Sequence, residues 1–212
     1  MLKLLGHNDL FYVQLLGGTS DSAAKNPADA PFLARCIAAG MHFYDFEEET
    51  SGAAVHAGLD DIIRRLTECE MRDDLLYSYS RTRVAEADGM AVGSLLSYPG
   101  DIYREMRHKT FREIWPDLAL LDATSEMETD PGEYYLDTLA VLPPYRRRGI
   151  GLALLRDGIS RGIEMGYARI ALAADSDCPH LIRLYESAGF IPADHRQAFG
   201  VDFLRMMYKN GL

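Results

Sequence analysis

Residues 136–151 read Leu136-Asp137-Thr138-Leu139-Ala140-Val141-Leu142-Pro143-Pro144-Tyr145-Arg146-Arg147-Arg148-Gly149-Ile150-Gly151, and they say more about the architecture than any other part of the chain. The first half has the composition of a β-strand, which Pro143-Pro144 would end because proline cannot donate to a sheet ladder. After Gly149, apolar residues recur every three or four positions, which predicts an amphipathic helix with a core-facing side. The residues on that side are Leu152, Leu155, Ile159 and Ile163.

The turn between this strand and this helix is rich in arginine and glycine. N–H groups in the first turn of a helix have no acceptor in their own helix, and they lie at the positive end of its dipole. Gly149 and Gly151 would let the main chain approach an anion closely, and the three arginines before them add positive charge. The junction is therefore predicted to bind a pyrophosphate. The alternative is a solvated turn that binds nothing.

The elements on either side of this junction predict a mixed sheet. On the N-terminal side we expect strands and helices at 11–16, 27–39, 59–66, 76–86 and 90–98, with Asp88-Gly89 as a hairpin turn. On the C-terminal side we expect them at 167–174, 179–188, 190–198 and 201–209. An antiparallel front half that leads into a strand–helix–strand unit predicts an α/β (α+β) fold, with a mixed twisted sheet and helices on both faces.

Composition restricts the class of protein. The chain has 212 residues, of which 48% are hydrophobic and 25% charged, so we expect a single domain over residues 1–212 with a helical insertion at about 99–133. The net charge of −10 argues against a nucleic-acid partner. No apolar run approaches the roughly 20 residues that span a bilayer, and the N-terminal apolar stretch is too short for a signal peptide. We therefore expect a cytoplasmic protein without a membrane partner.

The cysteines and histidines predict no metal site. Cys36, Cys69 and Cys178 are odd in number and share no CxxC spacing, which is typical of reduced, packed thiols. The six histidines lack ligand spacings such as HExxH. Although Cys178 stands close to His180, no orienting acid is evident, so a thiol nucleophile is not expected.

Residues 136–151, together with Leu184-Tyr185-Glu186-Ser187-Ala188-Gly189-Phe190, resemble the GNAT superfamily of acetyl-CoA-dependent N-acetyltransferases. The first block is similar to the acyl-CoA-binding signature of that family, and the second to its downstream partner motif. The likeness extends from about Leu75 to Gly189. It implies the GNAT-like acyl-CoA N-acyltransferase fold and an enzyme that transfers an acetyl group from acetyl-CoA directly to a primary amine.

The resemblance also implies which residues hold acetyl-CoA. A strand equivalent to Leu139–Val141 splays from its neighbour in the family and offers N–H and C=O groups to the pantetheine arm. One of these N–H groups can face the thioester carbonyl and stabilise an oxyanion. The N–H groups from Arg147 to Leu152 would hold the pyrophosphate. The complete set implied is Leu139, Ala140, Val141, Arg146, Arg147, Arg148, Gly149, Ile150, Gly151 and Leu152.

Tyr185 is the candidate general acid. In the family a tyrosine at this point lies near the sulfur and can protonate the departing thiolate. On its helix Tyr185 shares a face with Leu181 and Ile182, so the alternative is a ring that packs in the core near Phe190. Many members carry an asparagine that touches the pantetheine arm seven residues earlier. This chain has Cys178 there, so that contact is absent or replaced.

Two carboxylates are candidates for the general base, which an alkylammonium with a pKa of about 10 requires. Glu133 and Asp137 are four residues apart, and strand alternation puts both on one face. The alternative for Asp137, which we favour, is a hydrogen bond to Thr138 or to the backbone. For Glu133 the alternative is a carboxylate that caps a turn, and both possibilities stay open.

The acceptor is not specified by the sequence. A small amine, an antibiotic, an amino acid, a protein N-terminus and a lysine are all compatible with it, because specificity in such folds lies on variable loops. The acidic run Asp45, Glu47, Glu48 and Glu49 is either a solvated face or an attractor for a cationic amine. Dimers are common among proteins of this resemblance, so a homodimer is compatible with it. A second hypothesis is a non-catalytic acyl-CoA-binding regulatory module.

Overall fold

The computed structural model describes residues 2–3, 12–16, 27–41, 58–116, 127–198 and 201–209. Its contacts divide the chain into two compact units. Unit 1 consists of Met1–Leu96 and Thr138–Leu154, and unit 2 of Ser97–Asp137 and Leu155–Leu212. Each unit is described by itself, and the single-domain organisation stays a prediction.

Unit 1 contains the antiparallel N-terminal strands. The strands β1 (Leu2–Lys3), β2 (Tyr12–Leu16), β3 (Thr82–Ala87) and β4 (Met90–Pro99) pair antiparallel in this order, and β4 is followed in the sheet by β5 (Tyr134–Val141). The turn between β3 and β4 has positive φ at Asp88 and Gly89, 52° and 76°. The predicted two-residue hairpin is therefore confirmed, because such a turn needs left-handed residues. The predicted strand at 76–86 begins later, at Thr82.

Two helices of unit 1 follow from their apolar spacing. A 3₁₀ turn at Pro27–Asp29 leads into α1 (Ala30–Gly40), and α2 (Leu59–Glu70) follows it along the chain. The α-helix thus begins three residues after the predicted start at Pro27. Buried residues of α1 and of the hairpin form one apolar cluster, namely Phe32, Leu33, Cys36, Val84 and Ala91.

Unit 2 contains the parallel pair of the sheet. The strand β6 (Arg169–Asp175) lies parallel to β5, with Tyr134 opposite Ile170 and Tyr135 opposite Ala171. On its other side β6 pairs antiparallel along its whole length with β8 (Val201–Lys209), which in turn pairs antiparallel with β7 (Ile191–Ala198). Parallel and antiparallel neighbours occur in the same sheet, so the predicted mixed sheet is confirmed.

The helices of unit 2 are α3 (Tyr103–Ile114), most of α4 (Ile150–Glu164) and α5 (Pro179–Ser187). A Cβ on Gly162 of α4 would lie 2.5 Å from Ile170 Cδ1 and 2.8 Å from Tyr134 Cδ1. Only glycine therefore lets α4 approach β5 and β6 this closely. Of the predicted insertion at 99–133, the structure describes α3 and residues 127–133.

The described helices are all short. The longest, α4, has 15 residues, whereas a membrane-spanning helix needs roughly 20 apolar residues. Accordingly, no helix in the described part of the chain could cross a membrane.

Candidate active site

The junction between β5 and α4, in unit 1, contains two left-handed residues. A 3₁₀ turn at Pro143–Tyr145 follows β5, and Arg147 and Gly149 then have φ angles of 63° and 83°. The N–H of Ala153 donates to the carbonyl of Gly149 at 3.0 Å, as the α-helical pattern requires. Helix geometry leaves the N–H groups of the first turn without an acceptor in their own helix. A turn of this kind directs successive N–H groups into one concave nest, which can receive an anion.

The arginines of this junction are exposed and two of them have defined neighbours. Arg146 Nε donates to the carbonyl of Val141 at 3.0 Å, so this side chain bridges the end of β5 to the turn. The guanidinium of Arg148 lies over the ring of Tyr145 at 5.4 Å, a cation–π distance. Arg146 therefore stabilises the turn itself, in addition to any ligand role.

The exposure of β5 changes along its length. Tyr134–Leu136 are buried, whereas Leu139–Val141 are half-buried. The register between β5 and β6 consists of the pairs at Tyr134 and Tyr135, so it ends well before the last residues of β5. On the β4 side, a Cβ on Gly93 would lie only 3.1 Å from the carbonyl oxygen of Ala140. The absence of a side chain at Gly93 therefore lets β4 and β5 approach closely there. The last residues of β5 thus lie beyond its register with β6 and are partly exposed.

Tyr185 lies in unit 2 on α5. Tyr185 is 8% exposed, and its ring packs edge-on against the ring of Phe190, with centroids 6.4 Å apart. Burial raises the pKa of its hydroxyl to about 12, with smaller contributions from Asp175 and Cys178. The hydroxyl is therefore protonated throughout the neutral range. Cys178, at the start of α5, accepts hydrogen bonds at its carbonyl from the N–H groups of the next turn.

Glu133 is fully buried and surrounded by donors. Its Oε1 accepts a hydrogen bond from Arg205 Nη1 at 2.7 Å. Its Oε2 accepts from Thr129 Oγ1 at 3.1 Å and from the N–H of Asp130 at 3.0 Å. These partners all belong to the chain itself, so the geometry favours a structural role for Glu133 over the predicted general base.

A network of ion pairs extends from Glu133 to the last two strands. Arg205 makes paired hydrogen bonds to Asp194, at 2.8 to 3.1 Å. Arg196 donates to Asp130 at 2.7 Å and to the carbonyl of Met127 at 2.7 Å. Hydrogen bonds from these arginines hold the pKa values of Asp130 and Asp194 below their usual range. The network therefore fastens the segment 127–130 to β7 and β8.

Asp137 has a different neighbourhood. It accepts a hydrogen bond from the hydroxyl of Tyr98. Its charged neighbour is Glu128, whose Oε2 accepts a hydrogen bond from Tyr135 at 3.1 Å. Burial, and next the charge of Asp137, raises the pKa of Glu128 to about 7. The interacting carboxyl pair is thus Glu128 and Asp137.

Sequence reasoning missed Glu128 because the residue lies in an acidic, turn-prone segment without periodicity. Asp137 was placed correctly on a strand, yet its partner Tyr98 is 39 positions away. No spacing rule joins residues so far apart. The single available signal was the density of acidic residues before Asp130-Pro131-Gly132, and it does not select one of them.

Other sequence expectations have simpler outcomes. Within the described residues the cysteines are free thiols, with Cys36 and Cys69 buried and Cys178 half-buried. No cluster of three or more His, Cys, Asp or Glu suited to a metal occurs in that part of the chain. The acidic run at 45–49 lies outside the described residues. The predicted cofactor residues belong to unit 1, and Tyr185, Glu133 and Asp137 to unit 2.

Comparison with known proteins identifies what this arrangement is similar to. The model of the acetyltransferase (GNAT) family matches residues 43–190. A solved acetyltransferase structure is 26% identical, with a TM-score of 0.66 over 88% of this chain and 97% of that chain. An N-acetyltransferase from Staphylococcus aureus Mu50 shares the fold at 20% identity, with a TM-score of 0.68 over 86% of this chain and 96% of that chain. No curated protein sequence matches the chain.

Proposed function

The chain belongs to the acetyltransferase (GNAT) family, and on this premise we propose that it transfers an acetyl group from acetyl-CoA directly to a primary amine. The family match covers most of the chain, so the enzyme class is an acyltransferase and the fold is that of the GNAT proteins. The amine acceptor, the cofactor contacts and the catalytic residues are the parts we propose. A cytoplasmic location and a homodimer stay predictions.

The observation that carries the proposal is the turn before α4. Left-handed φ angles at Arg147 and Gly149 precede a helix whose first-turn N–H groups have no intrahelical acceptor. Such a nest, at the positive end of a helix dipole, fits the diphosphate of acetyl-CoA. The N–H groups from Arg147 to Leu152 would hold the phosphates, with Arg146 and Arg148 adding positive charge.

The end of β5 supports the second contact. Leu139, Ala140 and Val141 are half-buried main chain beyond the register with β6, so their N–H and C=O groups can pair with an extended ligand. The pantetheine arm has amide groups that suit this pairing. When bound there, acetyl-CoA would supply the acetyl group as a reactive thioester.

Tyr185 fits the role of proton donor. Its hydroxyl carries a proton at neutral pH, because burial raises its pKa to about 12. A general acid must be protonated when the leaving group departs, and a thiolate is the group that this reaction releases. Asp137 is retained in the proposal as an acceptor-side carboxylate, whereas Glu133 is assigned to positioning the segment 127–130.

The proposal is tested by two measurements on the purified protein. Titration calorimetry with coenzyme A should detect binding, and thiol release from acetyl-CoA should depend on an added primary amine. The panel should include alkylamines, amino acids, lysine and a peptide with a free N-terminus. Coenzyme A binding without thiol release for any amine would contradict the proposed acceptor class. Absence of coenzyme A binding would contradict the proposed phosphate site at the turn before α4.

The role of Tyr185 is tested by Tyr185→Phe. Loss of the hydroxyl should lower kcat by about 10² to 10⁴ while the free energy of unfolding changes by less than about 1.5 kcal/mol, because the ring still packs on Phe190. Tyr208→Phe is a matched control, since its ring lies 5.8 Å from the same Phe190. Equal kcat in Tyr185→Phe and the wild type would leave Tyr185 with a packing role only.

A further inference from the structure

Three tyrosines surround the carboxyl pair of unit 2. Tyr98 and Tyr103 have nearly parallel rings with centroids 6.0 Å apart, and Tyr135 is tilted against both, at 5.8 and 6.5 Å. All three residues are at most 2% exposed. Glu128 and Asp137 are less buried than these rings. The carboxyl groups are therefore bounded by aromatic side chains while their residues keep contact with solvent.

One polar atom of this group is poorly hydrogen-bonded. The hydroxyl oxygen of Tyr103 is buried and has no hydrogen bond of ordinary geometry among the described residues, with the Glu128 carboxyl group as its neighbouring acceptor. Burial, and next the negative charge of Glu128, raises the pKa of this hydroxyl well above its usual value. A buried hydroxyl without a good hydrogen-bond partner destabilises the folded protein. This destabilisation is offset when a ligand with a free N–H donor binds beside it.

The charges of the group are unbalanced. Glu128 is faced from α3 by Tyr103 and Arg107 and from β5 by Tyr135 and Asp137. Arg107 is 1% exposed, and its guanidinium lies 5.9 Å from the ring of Tyr103. Two carboxylates and one guanidinium carry a net charge of about −1 when both carboxyls are ionised. Among these three groups the carboxylates outnumber the guanidinium, which favours a cationic ligand over an anionic one.

The ion-pair network holds this group in place. Arg196 binds the carbonyl of Met127 and the carboxylate of Asp130, one residue before and two residues after Glu128. Glu133 accepts hydrogen bonds from Thr129 and from the N–H of Asp130. The backbone on both sides of Glu128 is therefore fixed, which fixes the position from which its carboxyl group acts.

From these contacts we propose that Glu128 and Asp137, with the hydroxyl of Tyr103, form the subsite for the ammonium group of the acceptor, and that Glu128 takes its proton. The ligand class is a primary alkylammonium. Its three N–H donors match two carboxylates and one hydroxyl oxygen, and the tyrosine rings beside them are favourable neighbours for a cation. This inference rests on the proposed function and names the acceptor side of the same reaction.

The proton step is simple to balance. One N–H bond of the ammonium group breaks, its electron pair stays on nitrogen as the nucleophilic lone pair, and the proton binds to the carboxylate of Glu128. Glu128 returns the proton to solvent after turnover. Because Glu128 must be ionised to accept a proton, kcat/KM should rise with pH through an apparent pKa of about 7.

The first test uses variants and the most active amine of the panel. Glu128→Gln should lower kcat/KM by about 10² to 10⁴ and abolish the ascending limb of the pH profile. Asp137→Asn should move that limb to lower pH, because it removes a neighbouring negative charge. Glu105→Gln, an exposed acid on α3, is the control and should leave both unchanged. A Glu128→Gln enzyme with wild-type kcat/KM and an unchanged limb would overturn the proposal.

The second test needs no turnover and no folded variant. In wild-type protein with ¹³C-labelled glutamate carboxyls, the signals of Glu128 and Glu70 should titrate near pH 7 and pH 8, and butylammonium chloride should lower the pKa of the Glu128 signal alone because a bound cation stabilises the carboxylate. Absence of such a shift would overturn the subsite even in an active enzyme. By contrast, a shift in a protein that releases no thiol with any amine would support the subsite and refute the proposed function.

Discussion

A single backbone conformation, that of Gly149, carries much of the candidate cofactor site. Its φ of 83° is left-handed, which an L-residue adopts at a cost of about 1 to 2 kcal/mol. Arg147, two residues earlier, is also left-handed, with a φ of 63°, and its conformation carries the same cost. Strain of this kind persists where the surrounding structure requires it, and here it shapes the turn that begins α4.

We expect Gly149→Ala to weaken coenzyme A binding more than it weakens folding. The added methyl group strains the turn by about 1 to 2 kcal/mol and alters the nest of N–H groups. Gly166→Ala is the matched control, because Gly166 has a φ of 88° and its Cβ would meet nothing within 4 Å. Urea unfolding should show similar losses of stability for both variants, and calorimetry a loss of affinity for Gly149→Ala alone. Equal affinities would separate the turn from the cofactor.

At the scale of elements, one buried arginine joins β8 to the start of β5. Arg205 donates to Glu133, which is fully buried, and to Asp194 on β7. A buried ion pair of this kind contributes little more to stability than apolar side chains of similar volume would. Removing one partner, however, leaves the other as an uncompensated buried charge. Glu133 is the group that would be left.

Arg205→Met should therefore lower the free energy of unfolding by about 3 to 5 kcal/mol. Arg169→Met is the comparison, because Arg169 is 51% exposed and lies 3.8 Å from the same carboxylate, where ion pairs contribute about 0 to 1 kcal/mol. Denaturant unfolding of both variants is the measurement. Similar small losses in the two would show that Glu133 does not depend on Arg205.

The stability of the protein should depend on a buried acid that is not among the predicted catalytic residues. Glu70, at the end of α2 in unit 1, is fully buried, and within the described part of the chain neither of its carboxyl oxygens has a hydrogen-bond partner. Burial raises its pKa to about 8 from an ordinary 4.5. Its charged form also raises the pKa of the nearby Cys36 thiol, which burial already keeps protonated. Glu70 is therefore neutral in the folded protein at and below pH 7.

Glu70→Gln should make the protein more stable at pH 8 than the wild type and reduce the loss of stability with pH. In the wild type the unfolded chain releases the Glu70 proton above about pH 4.5 and the folded chain only near pH 8. Stability is thus full below the lower value and falls between the two, by up to about 1.4 kcal/mol per pH unit. Glu68→Gln, exposed on the same helix, should leave the slope unchanged, and equal slopes in all three proteins would refute the assignment.

Local patterns were sufficient for most of the elements. The hairpin at Asp88-Gly89, the strand before Pro143 and the helix after Gly149 follow from turn chemistry, proline geometry and apolar spacing, all of which act within a few residues. The observed boundaries differ from the predicted ones by a few residues where a turn forms at the end of an element. At Pro27, for example, a 3₁₀ turn precedes α1. The same nearness explains why the turn that we propose for phosphate binding could be located from the sequence, because the turn and the helix that follows it are adjacent in the chain.

Partnerships between distant side chains could not be read in this way. The order of residues suggested that Glu133 and Asp137 act together, because they are four positions apart and alternate to one face. In the folded chain Glu133 binds Arg205, 72 positions away, and Asp137 interacts with Glu128 and with the hydroxyl of Tyr98. Burial and charge depend on which segments meet, and segments so far apart meet only when the sheet assembles. The local sequence thus determined the elements and the left-handed turn before α4, whereas the tertiary structure decided that Glu133 is buried against Arg205 and that Asp137 lies beside Glu128.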